Sequence, residues 1–442
     1  MNIILIILGK FVEIVSKLFN IGSGSTWPGH IALSAKQNFV KEIIAQNKQL
    51  KIILIAGTNG KTTTSKLIRK ILEQSHIRVI HNKSGANLPN GVASALIQNV
   101  TISGKINADY AVFEVDENSL SLVTNELTPD FLIVLNLFRD QLDRYGETDS
   151  IAKKWQKVTN SLPASSSLIL NADDPQISYL AKNTKAKVFY FGLDNPKLHQ
   201  KAPQHATDST YCPSCGSKLT YKTTYFSHSG DWECKNCGVK RPRLDQSSSP
   251  IYPLVGVYNY YNTHAAVLLA KLNNLNNETI EQSLKEFTPA FGRQETLTVK
   301  GKKVQLFLSK NPTSFNQSLR TITELKAKHA LIALNDRIPD GRDVSWIWDV
   351  DTEELFGADS VIISGDRVHD MALRLKYSSS SEIKNEKLKI KNYNVKLKIF
   401  EDLKKAISHS LSLVSPDETL YVLPTYSAML EVRKILTGKK IL

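Results

Sequence analysis

The chain has 442 residues, with 56 Lys and Arg against 42 Asp and Glu, a net charge of +14 at pH 7. Its 41% hydrophobic and 22% charged content is that of an ordinary folded protein; this excludes wholesale disorder, and the length predicts about two to four domains. The charge points to an anionic partner (nucleic acid, anionic lipid or a phosphorylated substrate) without choosing among them, and a merely solubilising surface fits it as well.

The early apolar run Ile3–Leu8 is shorter than the ~20 residues a membrane span needs, and no basic stretch precedes it, so a cytoplasmic location is expected. Residues 9–21 have helical periodicity, with Phe11, Val12, Val15, Leu18 and Phe19 on one face and Lys10, Glu13, Lys17 and Asn20 on the other. This amphipathic helix is expected to pack on a domain; the alternative is that it lies on a membrane surface. Gly22-Ser23-Gly24-Ser25 ends it and Trp27-Pro28-Gly29 turns the chain. From residue 51 apolar runs alternate with helical segments. Ile52–Ala56, Tyr110–Val115, Phe131–Leu135 and Ser167–Leu170 read as buried strands, Thr63–Ser75 as a helix, and the alternation predicts a parallel sheet covered on both faces. The pattern stops near residue 195, where a polar stretch leads into a cysteine cluster closed by Ser247-Ser248-Ser249-Pro250. Helical pattern returns at Asn262–Leu272 and Ile280–Phe287. A second alternating region starts near residue 302, with strands at Val304–Leu308, Ala330–Leu334, Ser360–Ile363 and Leu420–Leu423 and its boundary close to Gln294–Val299. The Ser-rich, then Lys-rich residues 378–398 read as a variable surface loop or edge element.

Gly57-Thr58-Asn59-Gly60-Lys61-Thr62-Thr63 joins a strand to a helix, the context a phosphate-binding loop requires. Its glycines let backbone N–H groups close around phosphate oxygens at the positive end of the helix dipole, Lys61 reaches the β/γ-phosphates, and the Thr62 hydroxyl is placed to ligate Mg²⁺. The loop is shorter than the usual spacing, with Ile55 where a first glycine would stand. A carboxylate is needed near the metal, and Glu114-Val115-Asp116-Glu117 follows a strand; Glu114 and Glu117 are both candidates.

Cys212, Cys215, Cys234 and Cys237 are the four cysteines of the chain, in two C-x-x-C pairs. None is left over, which argues against a secreted disulfide scaffold and for a closed, structural zinc ribbon; the alternatives are a redox pair, an Fe–S cluster or a nucleic-acid-binding ribbon, the last without an Arg-rich helix beside it. Such sites contribute roughly 10–16 kcal/mol of apparent binding free energy, enough to fold a small insertion.

The loop form GTNGKTT is that of the Mur ligases and folylpolyglutamate synthases, and further segments follow in that family's order. Asn136–Arg144 resembles its N-x-x-x-D-H-x-D segment, Asn171–Pro175 its N-x-D-D-P, Gly256–Asn262 its G-x-H-N-x-x-N, and Gly292–Glu295 its G-R-x-E. Residues 51–300 therefore resemble ATP-dependent ligases that turn a carboxylate into an acyl phosphate for attack by an amine. The resemblance implies that Asn259 contacts adenine, that Arg293 contacts the phosphates, and that Glu114 rather than Glu117 holds Mg²⁺. Gln141 and Tyr258 depart from the family by replacing histidines, and Lys310-Asn311-Pro312 stands where D-Y-A-H-N-P is usual. A lysine carbamylated in some members falls near Lys153 or Lys154.

About fifty residues precede the loop, too few for the usual N-terminal domain of Mur ligases, and folylpolyglutamate synthases lack the four-cysteine insertion. The chain is most similar to the subgroup that has both traits, the MurT subunits of lipid II isoglutaminyl synthase. Gly22–Gly29, Asp340–Trp346 and Pro424–Leu430 resemble it too. The implied fold is α/β: a Mur ligase central P-loop ATPase domain with an inserted zinc ribbon, then a C-terminal Rossmann-like α/β domain. The expected divisions are an N-terminal helix and lead-in over 1–50, the ATP-binding domain over 51–297 with the ribbon at about 205–245, and a glutaminase-contacting domain over 298–442. The implied reaction is amidation of the α-carboxylate of D-glutamate in the lipid II stem peptide, with ATP, Mg²⁺ and structural Zn²⁺. A separate glutaminase, GatD, supplies the ammonia, action is expected at the inner face of the cytoplasmic membrane, and no nucleic acid is involved. The rival readings are a folylpolyglutamate-type ligase and a non-catalytic nucleotide-binding scaffold.

In MurT-type pairs the ligase subunit supplies an aspartate to the Cys-His glutaminase across the interface, where it orients the histidine. The candidates are Asp343, Asp349 and Asp351. Asp351 reads as a helix N-cap with Glu354 at N3, and Asp343 as a partner of Arg342. Asp349 is left without a local duty, beside Trp346 and Trp348, residues enriched at interfaces.

Overall fold

The computed structural model describes residues 2–18, 26–82, 85–140, 148–200, 204–205, 207–380 and 396–438. Two six-stranded sheets carry it. The first has strands β1 (Lys51–Ala56), β2 (Val79–His81), β3 (Tyr110–Glu114), β4 (Phe131–Val134), β5 (Ser167–Asn171) and β6 (Lys187–Phe191), in the order β2-β3-β1-β4-β5-β6. Every pairing in it is parallel. The strands are apolar runs because both faces are covered, and alternate side chains go to opposite sides. Ile52, Leu54 and Ala56 join a core under the N-terminal helices and the Pro89–Asn99 and Thr148–Ser161 helices. Ile53 and Ile55 join another under the Lys61–Gln74 and Val257–Leu272 helices.

The insertion contains a hairpin, β7 (Thr220–Phe226) with β8 (Ser229–Glu233). The second sheet has β9 (Arg293–Val299), β10 (Lys302–Phe307), β11 (His329–Ala333), β12 (Ser360–Ser364), β13 (Lys396–Ile399) and β14 (Thr419–Pro424), ordered β13-β12-β11-β14-β10-β9. It is parallel except for the edge strand β9, which folds back antiparallel on β10. That pairing puts Arg293–Val299 in the second sheet, ahead of the division at 297/298. The expected strands in both regions are present; β2, β6 and β9, all at sheet edges, have no counterpart among the expectations, and β13 is an edge strand at the end of the 378–398 stretch read as a surface loop or edge element.

The N-terminal helix runs over Asn2–Leu18 instead of starting at residue 9. Its docking face also differs from the expected one. Leu5 and Ile6 enter the core, and a Cβ on Gly9 would lie 2.8 Å from Ile97 Cγ2, so the helix sits close to its neighbour there. Phe11 and Leu18, expected on the packed face, are 61% and 74% exposed, and Ile3, Ile4, Ile7, Leu8 and Ile14 are exposed with them. Continuing the helix back to Asn2 adds an apolar turn, and that turn with Gly9 sets the rotation. Phe19, Asn20 and the Gly22–Ser25 terminator lie outside the described residues, as do Gln141–Arg144 and residues 381–395 of the Ser/Lys-rich stretch.

Candidate active site

Parallel strands bring their C-terminal ends to one edge, where ligands bind in such sheets. β1 and β3 there hand the chain to the Gly57–Thr63 loop and to Glu114. Gly60 precedes the Lys61–Gln74 helix at φ 89°, and a Cβ on it would fall 2.2 Å from Asn262 Oδ1, so the position takes only glycine. Asn136 clamps the loop from the end of β4: its Oδ1 accepts from the Asn59 N–H at 2.9 Å and its Nδ2 donates to the Asn59 carbonyl at 3.0 Å. Thr58 and Phe138 exchange two further hydrogen bonds through the Thr58 hydroxyl. Thr63 is buried in the first turn.

Lys61 Nζ donates to the Gly57 carbonyl and stands 3.1 Å from Glu117 Oε2. The Thr62 hydroxyl donates to Glu114 Oε2 at 2.6 Å. The two acidic candidates thus separate by partner, Glu114 to the threonine and Glu117 to the lysine. Burial pushes both carboxyls above their usual range, against the Thr62 hydrogen bond at Glu114 and the Lys61 charge at Glu117. Glu117 Oε1 is buried with no hydrogen-bond partner among the described residues. Buried carboxylates, an orphaned oxygen and a hydroxyl form an oxygen donor set that fits a hard divalent cation shared with phosphates.

The second domain closes this edge. Lys310, which follows β10, ion-pairs with Asp140, and Asn311 and Asn59 hydrogen-bond through their side-chain amides at 3.1 Å. Burial works against the Lys310 charge, but Asp140 and Glu117 outweigh it and raise its pKa. The lysine that departs from the family's D-Y-A-H-N-P pattern is therefore a held cation in the cleft. Asn136, Lys310 and Asn311 complete the site without having been given a role from the sequence; Asn136 stood there as the first residue of a family segment, and Lys310 and Asn311 in the place of the D-Y-A-H-N-P motif. A cavity of about 350 Å³ occupies the cleft, lined from the first domain by the phosphate loop, Glu114, Glu117 and Asn259 and from the second by Lys310, Gln317 and Tyr426. Arg293 reaches it from the start of β9. Asn259 is held by Val255 O at 2.7 Å and by Asn262 at 3.1 Å. Tyr258, in place of a histidine, accepts from Gln294 Nε2 at 2.8 Å. Lys153 does not line the cavity, and Lys154 donates to Asn118 at 2.9 Å.

The cysteines meet as expected. All four sulfurs lie within 4.8 Å of one another, with Cys212–Cys237 at 3.6 Å and Cys215–Cys234 at 3.5 Å. Zn–S bonds of ~2.3 Å in a tetrahedron put sulfurs about 3.8 Å apart, so the set fits zinc. Each pair sits in the same loop: Gly216 N–H bonds Cys212 O and Cys212 N–H bonds Ser217 O, and Gly238, Cys234 and Val239 repeat the arrangement.

The three aspartates do not sit as read from the sequence. Asp349 has a partner from a distant segment, Arg139 Nη2 at 3.2 Å, and Arg139 also grips Asp208. Asp351 makes no side-chain cap at the short 3₁₀ segment Thr352–Gly357; it accepts from the His205 N–H at 3.1 Å. Asp343 accepts from the Ser345 N–H at 2.8 Å rather than pairing with Arg342 among the described residues. Trp346 packs on Phe315, whereas Trp348 remains 48% exposed.

A phosphate loop beside buried carboxylates, in a cleft that a second domain closes with Lys310, defines an ATP-binding ligase of the Mur type, and residues 55–270 match the Mur ligase middle domain. A pseudomurein peptide ligase type C from Methanothermus fervidus has the same fold, with a TM-score of 0.65 at 21% identity over 88% of this chain and 79% of its own. Residues 308–429 match the MurT ligase C-terminal family. The lipid II isoglutaminyl synthase (glutamine-hydrolyzing) subunit MurT of Staphylococcus aureus strain COL is 34% identical over 80% of this chain and 83% of its own length. The subunit of that name from Streptococcus pneumoniae strain ATCC BAA-255 / R6 is 31% identical over 96% and 95%. The chain belongs to the MurT family, and it is a ligase.

Proposed function

We propose that the chain amidates the α-carboxylate of D-glutamate in the lipid II stem peptide, through an acyl phosphate, with ammonia from a GatD-type glutaminase subunit. The reading is carried by the cleft itself: Lys61 and Glu117 at one wall and Lys310 at the other, in a chain 34% identical to a subunit named for this synthase. A carboxylate is a poor electrophile, and phosphorylation gives it a good leaving group. Lys61 and Arg293 stabilise charge on the phosphoryl group as it transfers. Lys310 is suited to hold the acceptor carboxylate or the oxyanion formed when ammonia adds. Thr62 and Glu114 would hold Mg²⁺, which neutralises phosphate charge, and the four cysteines would hold Zn²⁺ in a structural role.

Asp349 is proposed to leave or share Arg139 when the partner docks and to orient the partner's catalytic histidine. Trp348, exposed beside it, supports an interface there. Action at the inner membrane face is supported by the exposed apolar stripe of the Asn2–Leu18 helix and the +14 charge, complementary to anionic lipid. Among the described residues no helix is long and apolar enough to cross a membrane.

The test is ATP turnover with lipid II and glutamine, with and without the glutaminase subunit. The expected result is amidated lipid II and ADP in the complete mixture, with free ammonia replacing glutamine and partner together. Addition of glutamate to a folate, or binding of ATP without turnover in any mixture, would overturn the reading.

A further inference from the structure

The β7–β8 hairpin has two ends. Its open end carries the cysteines; its closed end, Phe226-Ser227-His228-Ser229, is buried in the ATPase domain. The Asn171–Pro175 segment after β5 is the post to which it is fastened. Gly230 N–H donates to Asp173 O at 2.9 Å, and Trp232 Nε1 donates to Ala172 O at 3.0 Å. His228 Nε2 lies 3.2 Å from Asp174 Oδ2. Arg241, past the second cysteine pair, ion-pairs with Asp173 at 2.7 Å, and Arg320 of the second domain donates to Tyr225 O at 2.8 Å. These ties aim Phe226 into the nucleotide cavity, where its ring lies 5.7 Å from Phe138 and 5.4 Å, edge to face, from Tyr261.

The strand order tells which part of a nucleotide this ring would meet. Along the sheet edge, β3 carries Glu114, its neighbour β1 carries the phosphate loop, and β4 and β5 follow on the far side. A nucleotide whose terminal phosphates lie between Lys61 and Glu114 runs its other end toward β4 and β5. Phe138 follows β4, Asn171 ends β5, and Asn259 and Tyr261 lie in the first turns of the helix packed there; all line the cavity with Phe226. Of the aromatic rings that line this end, Phe226 is the one the hairpin contributes, packed between Phe138 and Tyr261.

We infer that the ribbon is a wall of the nucleoside subsite, and that Phe226 is the ring on which the base of the bound nucleotide stacks. This rests on the cleft being the ATP site. Base–aromatic stacking contributes enough that losing it weakens binding about tenfold. It has no bearing on the phosphates, which the loop holds.

The experiment measures binding of ATP and of inorganic tripolyphosphate, each with Mg²⁺, to the full chain and to Phe226→Leu and Phe226→Ala. Leucine keeps an apolar side chain against Phe138 and Tyr261 without a ring face. Both variants are expected to bind ATP about tenfold more weakly while tripolyphosphate affinity stays within twofold, and Phe226→Tyr is expected to restore ATP binding. Equal weakening of both ligands would mean that Phe226 only supports the fold, and unchanged ATP affinity in Phe226→Leu would remove it from the subsite; either outcome overturns the inference. Failure of the unaltered chain to bind both ligands would overturn the assignment of the cleft itself, and the inference with it.

Discussion

Lys61 is held between the Gly57 carbonyl and Glu117. On the proposed mechanism its charge moves to the transferring phosphoryl group. Lys61→Ala is therefore expected to lower ATP-dependent amidation at least ~100-fold at saturating ATP, with the circular dichroism of the fold retained. Turnover near that of the unaltered chain would show that the loop lysine has another job. The two glutamates make a sharper comparison. Glu114 shares its oxygen with the Thr62 hydroxyl, and Glu117 with Lys61. Glu114→Ala should raise the Mg²⁺ concentration needed for half-maximal turnover more than Glu117→Ala does, and a titration of both variants decides it. At Asp349, the Asn variant keeps the shape and removes the charge. The complex with the glutaminase should still assemble and bind ATP, while glutamine hydrolysis falls strongly. Because Arg139 bridges Asp349 and Asp208, some loss could follow from freeing Arg139, so Arg139→Gln is the control. Its glutaminase activity should survive. If the Asp351 variant is the damaging one, the assignment moves there.

Among the elements, the Val257–Leu272 helix carries a titratable group with no part in the chemistry. His264 is buried, its Nδ1 bonded to Gly192 O at 2.8 Å and its Nε2 to the Tyr252 hydroxyl at 2.8 Å. The carbonyl makes Nδ1 the donor, so Nε2 accepts from the Tyr252 hydroxyl, and a proton on Nε2 would reverse that bond and place a charge in a buried site. Burial lowers the imidazole to about 4 from an ordinary 6.5. The unfolded chain then binds more protons between those values, so the contribution is complete above about pH 6.5 and is lost as pH falls toward 4. It amounts to roughly 3 kcal/mol over the whole window. Denaturation at pH 7 and pH 5 should show His264→Gln losing less stability on acidification than the unaltered chain; parallel losses would show that the histidine titrates normally.

For the whole molecule, metal and membrane are the two measurable consequences. The closed cysteine set should hold one zinc per chain, unaffected by ATP or Mg²⁺; elemental analysis that finds none, or finds iron with a visible chromophore, would refute it. The Asn2–Leu18 stripe leaves seven large apolar side chains exposed on one helix, more than a surface helix of a free-standing domain usually shows. The chain should sediment with vesicles containing phosphatidylglycerol, more weakly at high salt. Replacing Ile7 and Phe11 by Ser should release it without loss of ATPase activity. Retention of the double variant would mean that the helix is not the contact.

What the sequence determined by itself is the chemistry held in consecutive residues. The phosphate loop, the cysteine pairs and the buried strands were legible because each is specified locally: by glycines and a lysine at fixed spacing, by ligand spacing, by apolar runs that only a covered sheet accepts. Edge strands such as β2 and β9 escaped because partly exposed strands have no such run. The tertiary structure decided everything that joins distant segments. It turned Phe11 and Leu18 outward, because a helix begun at Asn2 docks through Leu5, Ile6 and Gly9. It gave Asp349 a partner in Arg139, set Lys310 against Asp140, and drove the hairpin tip into the cleft beside Tyr261. Such pairings depend on how two sheets and an insertion approach one another. No periodicity records that approach, because the burial that fixes it belongs to both surfaces at once.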